Sequence, residues 1–142
     1  LIRNEVVALN FIILGISLCI FFLQGKYNVP ARIKEIGRKN CYISEITVGE
    51  LLYGAACSSK KEEHLAQVNE FVNLFVVLPI YPILPFFAES KAELRKQGQL
   101  IDDFDILIGV TAVANKMTLV SENLKHLSRI PNIKTENWIM RK

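Results

Sequence analysis

Hydrophobic positions along the 142-residue chain form two alternating kinds of run. Short apolar stretches at residues 6–14, Cys41–Ile43, Val76–Ile80 and Thr118–Ser121, with an extended piece near Ile133–Glu136, predict strands. The first is rich in β-branched and bulky residues, which suits a strand buried on both faces. Between the strands the spacing turns helical. Gly15 and Ser17 read as a turn and helix start, with Leu18–Leu23 a short apolar helix. Val29, Ile33 and Ile36 follow Pro30, with Gly37 as the stop. A further helix starts at Ser44 or Ile46 and runs to about Cys57. Ser58–Glu63 reads as a loop or helix entry before Leu65, Val68, Phe71, Val72 and Phe75. Phe86–Gln97 is amphipathic and closed by Gly98, whereas Asp105–Asn115 is apolar nearly all round and so predicted buried. Asn123–Leu127 completes the set as a helical turn.

Strands alternating with helices predict an α/β fold of parallel strands joined by helical crossovers. No repeat and no Pro-, Gly- or Ser-rich linker divides residues 1–142, so one domain is expected. In such sheets ligands bind beyond the carboxyl ends of the central strands. Candidate chemistry therefore belongs at Gly15–Ser17, Ser44–Glu50, Asp102–Asp105 and Ser121–Asn123.

Val6–Gly25 carries no charge over 20 residues, long enough on length alone to cross a bilayer. Asn10, Gly15, Ser17 and Gln24 interrupt it, and its two halves differ in pattern, so a strand followed by a short helix is the expectation. Three cysteines without paired spacing and two distant histidines exclude a disulfide framework and a multi-histidine zinc site, and fit a reducing cytoplasm. The formal charge of +3 permits a polyanionic partner without requiring one.

Ser44, Thr47 and Glu50 are spaced by three and share one helix face directly after a strand. Glu50 lies among apolar neighbours, where a carboxylate either bonds backbone groups or a lysine, or ligates a cation. Asp102, Asp103 and Asp105 precede the most hydrophobic helix. One of them caps it, while three exceed what capping needs and suit a hard divalent ion. His64 is expected to face solvent, whereas His126 falls on the active edge. Lys116, Lys125, Arg129, Lys134 and Arg141 either form a solvated surface or hold phosphates.

From about Ile12 to Trp138 the chain resembles PIN-domain ribonucleases of the VapC toxin type, from bacterial toxin–antitoxin modules. The similarity rests on ISEITVGELLYG at Ile43–Gly54, DFDILIGVTAVA at Asp103–Ala114 and TLVSENLKHLSRIPNI at Thr118–Ile133. It implies a three-layer α/β/α domain with a central, mainly parallel sheet, and residues 1–9 as an atypical N-terminal extension. It also implies catalytic Glu50 and Asp105, with Asp103 joining them around Mg²⁺ or Mn²⁺. Ser17, Thr47, Asn123 and His126 become supporting or substrate-binding groups. The family's first strand ends in Asp-Thr-Asn, and here Gly15 stands in place of the aspartate and Ser17 in place of the asparagine.

The expected function is thus a metal-dependent endoribonuclease with RNA as substrate, a VapB-type antitoxin as partner and a homodimeric state, its activity lowered by the missing ligand. One alternative is a catalytically degenerate PIN domain that only binds a partner, through the faces of Cys19–Leu23 and Leu51–Tyr53. The other is a membrane-anchored domain, with Val6–Leu23 as anchor.

Overall fold

A computed structural model of the chain describes residues 11–141. The described chain opens with β1 (Ile12–Leu14), α1 (Ile16–Gln24), α2 (Val29–Ile36) and a 3₁₀ turn at Arg38–Asn40. There follow β2 (Cys41–Ser44), α3 (Glu45–Ala56), α4 (Lys61–Val72), β3 (Val76–Leu78) and a second 3₁₀ turn at Tyr81–Ile83. α5 (Leu84–Lys96), α6 (Asp103–Ala114), β4 (Thr118–Val120), α7 (Leu124–Leu127) and β5 (Lys134–Glu136) complete it. The five strands are all parallel, in the order β3-β2-β1-β4-β5.

The period of two along the strands sorts side chains to opposite faces of the sheet. Ile12, Leu14, Cys41, Ile43 and Val120 face a core built with α1–α4 and with Trp138 and Ile139 of the tail. Ile13 and Leu119 face the other, built with α5, α6, α7 and Ile130. This is the α/β/α sandwich that the sequence pattern and the resemblance imply.

Local chemistry moves several boundaries from their expected places. The third strand was expected to reach Ile80 but ends at Leu78. Pro79 has no N–H to continue the ladder, and the Ile80 N–H donates instead to Glu45 Oε1 at 2.9 Å. α4 begins at Lys61, four residues before Leu65, because Glu62 and Glu63 in its first turn suit the positive end of the helix. Of the long first strand, residues 6–10 lie outside the described residues.

The uncharged run does not form one helix. Gly15 bends the chain out of β1, and α1 ends at Gly25 in the left-handed region (φ 66°). There the N–H groups of Gly25 and Lys26 donate back to Phe22 and Phe21 carbonyls at 3.1 and 2.9 Å. Among the described residues no helix is long and apolar enough to cross a membrane. Gly109 marks a second close approach: a Cβ there would sit 2.3 Å from Ile130 Cδ1, so its bareness lets the 128–133 segment lie against α6.

Candidate active site

The strand order sets where a site can form. From β1 the chain crosses to β2 and β3 on one side, then returns to place β4 and β5 on the other. A crevice opens at such a reversal, beyond the strand carboxyl ends. Gly15 sits at its centre. Its backbone is extended (φ −72°, ψ 169°), a conformation any residue adopts, and its N–H donates to the Val120 carbonyl at 2.9 Å. A Cβ at this position would lie 3.2 Å from that carbonyl oxygen and 3.4 Å from Ser121 Cβ and Oγ. A side chain is therefore admitted if β4 yields by a few tenths of an ångström. Ser17 lies half-buried in the first turn of α1.

β2 runs directly into α3. Ser44 caps the helix, its Oγ accepting the Ile46 N–H at 3.1 Å. One turn on, Thr47 is fully buried, and a turn later comes Glu50. Thr47 Oγ1 and Glu50 Oε1 are both buried without a hydrogen-bond partner. An unpartnered buried oxygen is costly, and a carboxylate oxygen costs more than a hydroxyl. Burial first, then the charges of Asp105 and Asp102, push the Glu50 carboxyl above its usual range.

The three aspartates at the start of α6 divide their tasks. Asp102 caps the helix, Oδ2 accepting the Phe104 N–H at 3.1 Å. Asp103 turns to α5, where Lys91 Nζ lies 2.9 Å from its Oδ1. Asp105 faces the crevice and accepts from Asn123 Nδ2 at 3.1 Å. Its carboxyl is raised by burial and by Asp102, against the lowering effects of His126 and of the Asn123 hydrogen bond. Asn123 is itself held by Ser121, whose Oγ accepts the Asn123 N–H at 3.1 Å. Residues 55 positions apart thus reach one edge: Glu50, Asp105, Asn123 and His126 come together, with Asp102 as a third carboxylate.

Beside the carboxylates runs a groove of about 1030 Å³ between α1, α3 and α4. Ile20, Leu23 and Tyr53 give it open apolar walls, Phe104 borders it, and Glu50 lines it. Two expectations change here. Cys19 is fully buried in the core and Leu51 nearly so, so the exposed faces are those of their neighbours. His64, expected in solvent, is half-buried and lines the groove.

Residues 21–132 match the family model described as "PIN domain". The chain belongs to the PIN-domain family. It is 38% identical over 112 residues to ribonuclease VapC2 of Haemophilus influenzae, covering 78% of this chain and 84% of that protein. To the tRNA(fMet)-specific endonuclease VapC of Shigella flexneri it is 30% identical, over 88% of this chain and 96% of the relative. The crystal structure of VapBC2 from Rickettsia felis bound to a DNA fragment from their promoter superimposes with a TM-score of 0.82. That match covers 90% of this chain and 98% of the other at 29% identity.

PIN-type nuclease chemistry implies a divalent cation, and the donors present can be tested for it. Two carboxylates near one another, one with an orphaned buried oxygen, fit a hard cation that keeps most of its waters. They do not form a closed cage: among the described residues no group of three or more His, Cys, Asp or Glu side chains is arranged around a metal position. Asp103, expected as a third ligand, is paired with Lys91. Asp102, not Asp103, is the carboxylate that interacts with both Glu50 and Asp105. A signal was present, since Asp102 and Asp105 are three apart and share a helix face, whereas Asp103 is turned about 100° away.

Two basic residues are tied into the fold near this edge. Arg141 grips Glu122 through two bonds of 2.8 and 3.0 Å and donates to Tyr27 Oη at 3.0 Å. Arg129 donates to the Leu100 carbonyl at 3.3 Å.

Proposed function

We propose that this chain is the toxin of a type II toxin–antitoxin module, an endoribonuclease hydrolysing RNA phosphodiester bonds at the Glu50–Asp105 edge. The observation that carries the reading is the buried, unpartnered Glu50 Oε1 beside Asp105. Glu50 and Asp105 would hold the cation, with Mg²⁺ or Mn²⁺ as the hard ions that suit carboxylate oxygen. When bound, such an ion would lower the pKa of a water and offset charge building on the phosphate. Asn123 fixes the rotamer of Asp105 through its 3.1 Å bond, and Ser121 fixes Asn123. Asp102 adds negative charge from the cap position. Asp103 acts at a remove, its pair with Lys91 docking the start of α6 on α5. His126 stands at the rim, where it can meet a substrate phosphate, while Ser17 and Thr47 lend neutral oxygens to the edge.

The groove beside the site suits an antitoxin segment of the VapB kind, apolar along its length and cationic where it meets Glu50. A homodimer and a cytoplasmic location belong to the same reading. The latter is supported by three free thiols at Cys19, Cys41 and Cys57. Gly15 favours a second reading, a degenerate domain that captures its partner without cutting, since it supplies no ligand at the centre of the crevice. Mg²⁺- or Mn²⁺-dependent cleavage of RNA by the chain and by Gly15→Asp decides between the two. Cleavage that Asp105→Asn abolishes supports the nuclease. Inactivity of both folded proteins, with a small partner copurifying, leaves the binding module.

A further inference from the structure

We propose that Phe104 is a substrate-positioning residue, a platform on which an unpaired nucleobase stacks beside the scissile phosphate. The inference rests on the nuclease reading and adds to it where the substrate's uncharged part is held. Phe104 follows Asp103 and precedes Asp105, so its backbone is fixed within one residue of the reacting edge. The cap bond from its own N–H to Asp102 Oδ2, at 3.1 Å, and the Asp103–Lys91 pair hold that turn in place. Yet its ring is 47% exposed and belongs to neither core cluster. It borders the groove that Glu50 lines, and Tyr53, one helical turn beyond Glu50, is 73% exposed and lines the same groove.

An aromatic ring left open beside the carboxylate edge, on an ordered backbone, offers a flat apolar face for stacking. Electrostatics narrows the choice. Glu50, Asp105 and Asp102 repel a bare phosphate chain, so a polyanion must draw part of its affinity from neutral contacts. Nucleobases supply these: each has a π face, and stacking on an aromatic side chain is tolerant of sequence. A phenylalanine gives up only two rotatable bonds to do this, and here its backbone is already ordered. Bases locked in a duplex do not offer their faces, so the platform selects an unpaired nucleotide.

Binding of a 5′-fluorescein oligoadenylate of about twelve nucleotides, read by anisotropy with Ca²⁺ replacing Mg²⁺, tests the proposal against an abasic ribose-phosphate chain of equal length. Phe104→Ala and Phe104→Leu should each weaken oligoadenylate binding by about 5- to 100-fold and leave the abasic chain unaffected, while Phe104→Trp retains it. The leucine variant keeps apolar bulk without a ring, and near-ultraviolet circular dichroism should be unchanged because the ring lies outside the core. Oligoadenylate binding by Phe104→Ala at the original strength overturns the platform. So does a variant that loses only its hold on a VapB-type antitoxin, which would assign the ring to a protein interface. Failure of the unaltered chain to bind either probe removes the nuclease reading itself, a result distinct from both.

Discussion

The loop after β1 and the start of α6 meet at one crevice but bring opposite things to it. The first ends in Gly15, with no side chain; the second brings three carboxylates within four residues. Abundance at α6 does not make good the lack at β1. Asp102 is spent on its cap and Asp103 on Lys91, which leaves Asp105 to face Glu50. Position on the helix decides which neighbours a carboxylate meets, and a count of acidic residues does not.

Gly15→Asp should break this asymmetry with the largest effect. A carboxylate at the crevice centre should raise Mn²⁺-dependent RNA cleavage by about a hundredfold or more. The same variant should melt at a lower temperature without metal. A further negative charge joins carboxylates that already repel one another, and the new Cβ presses on the Val120 carbonyl at 3.2 Å. Added Mn²⁺ should return the lost stability, as thermal melts with and without the ion will show.

Protons compete with a cation for these same oxygens. The raised carboxyls of Glu50 and Asp105 bind protons in the folded chain that the unfolded chain releases. Without metal, that contribution to stability is present below the ordinary carboxylate range and is lost as pH rises through the folded values. A cation shared by the pair would reverse the sign, because it would bind only the deprotonated carboxylates. The rise in Tm produced by Mn²⁺ should therefore be larger at about pH 7 than at about pH 5, and an equal rise at both would contradict the shared site.

The α6 side of the comparison predicts a small effect. Asp103→Asn removes a half-exposed pair, so unfolding should become easier by less than about 1 kcal/mol with Mn²⁺ affinity unchanged. Loss of metal binding in this variant, measured by calorimetry, would return Asp103 to the ligand set.

Much of the architecture is legible in the chain. Alternating strands and helices predict the parallel sheet, and the β1–β4 reversal then brings Glu50 and Asp105 to one rim. What the pattern does not carry is local competition for hydrogen bonds. Ile80 leaves the third strand because Glu45 takes its N–H, a contact 35 residues away in sequence. Asp103 turns to Lys91 for the same kind of reason, since nothing in a run of aspartates announces a lysine on the neighbouring helix. Helical phase separates Asp103 from Asp102 and Asp105, and that signal is available without coordinates. The groove-facing position of His64 depends on how α4 lies against α3, which periodicity alone does not fix.

The most direct test is a double-mutant cycle in Mn²⁺ affinity, using the original chain, Glu50→Gln, Asp105→Asn and the pair together. If one cation sits between these two carboxylates, each single change should cost most of the affinity, and the double variant should lose little more than either. Independent, additive losses, or binding unaffected by both, would show that positions 50 and 105 do not share an ion.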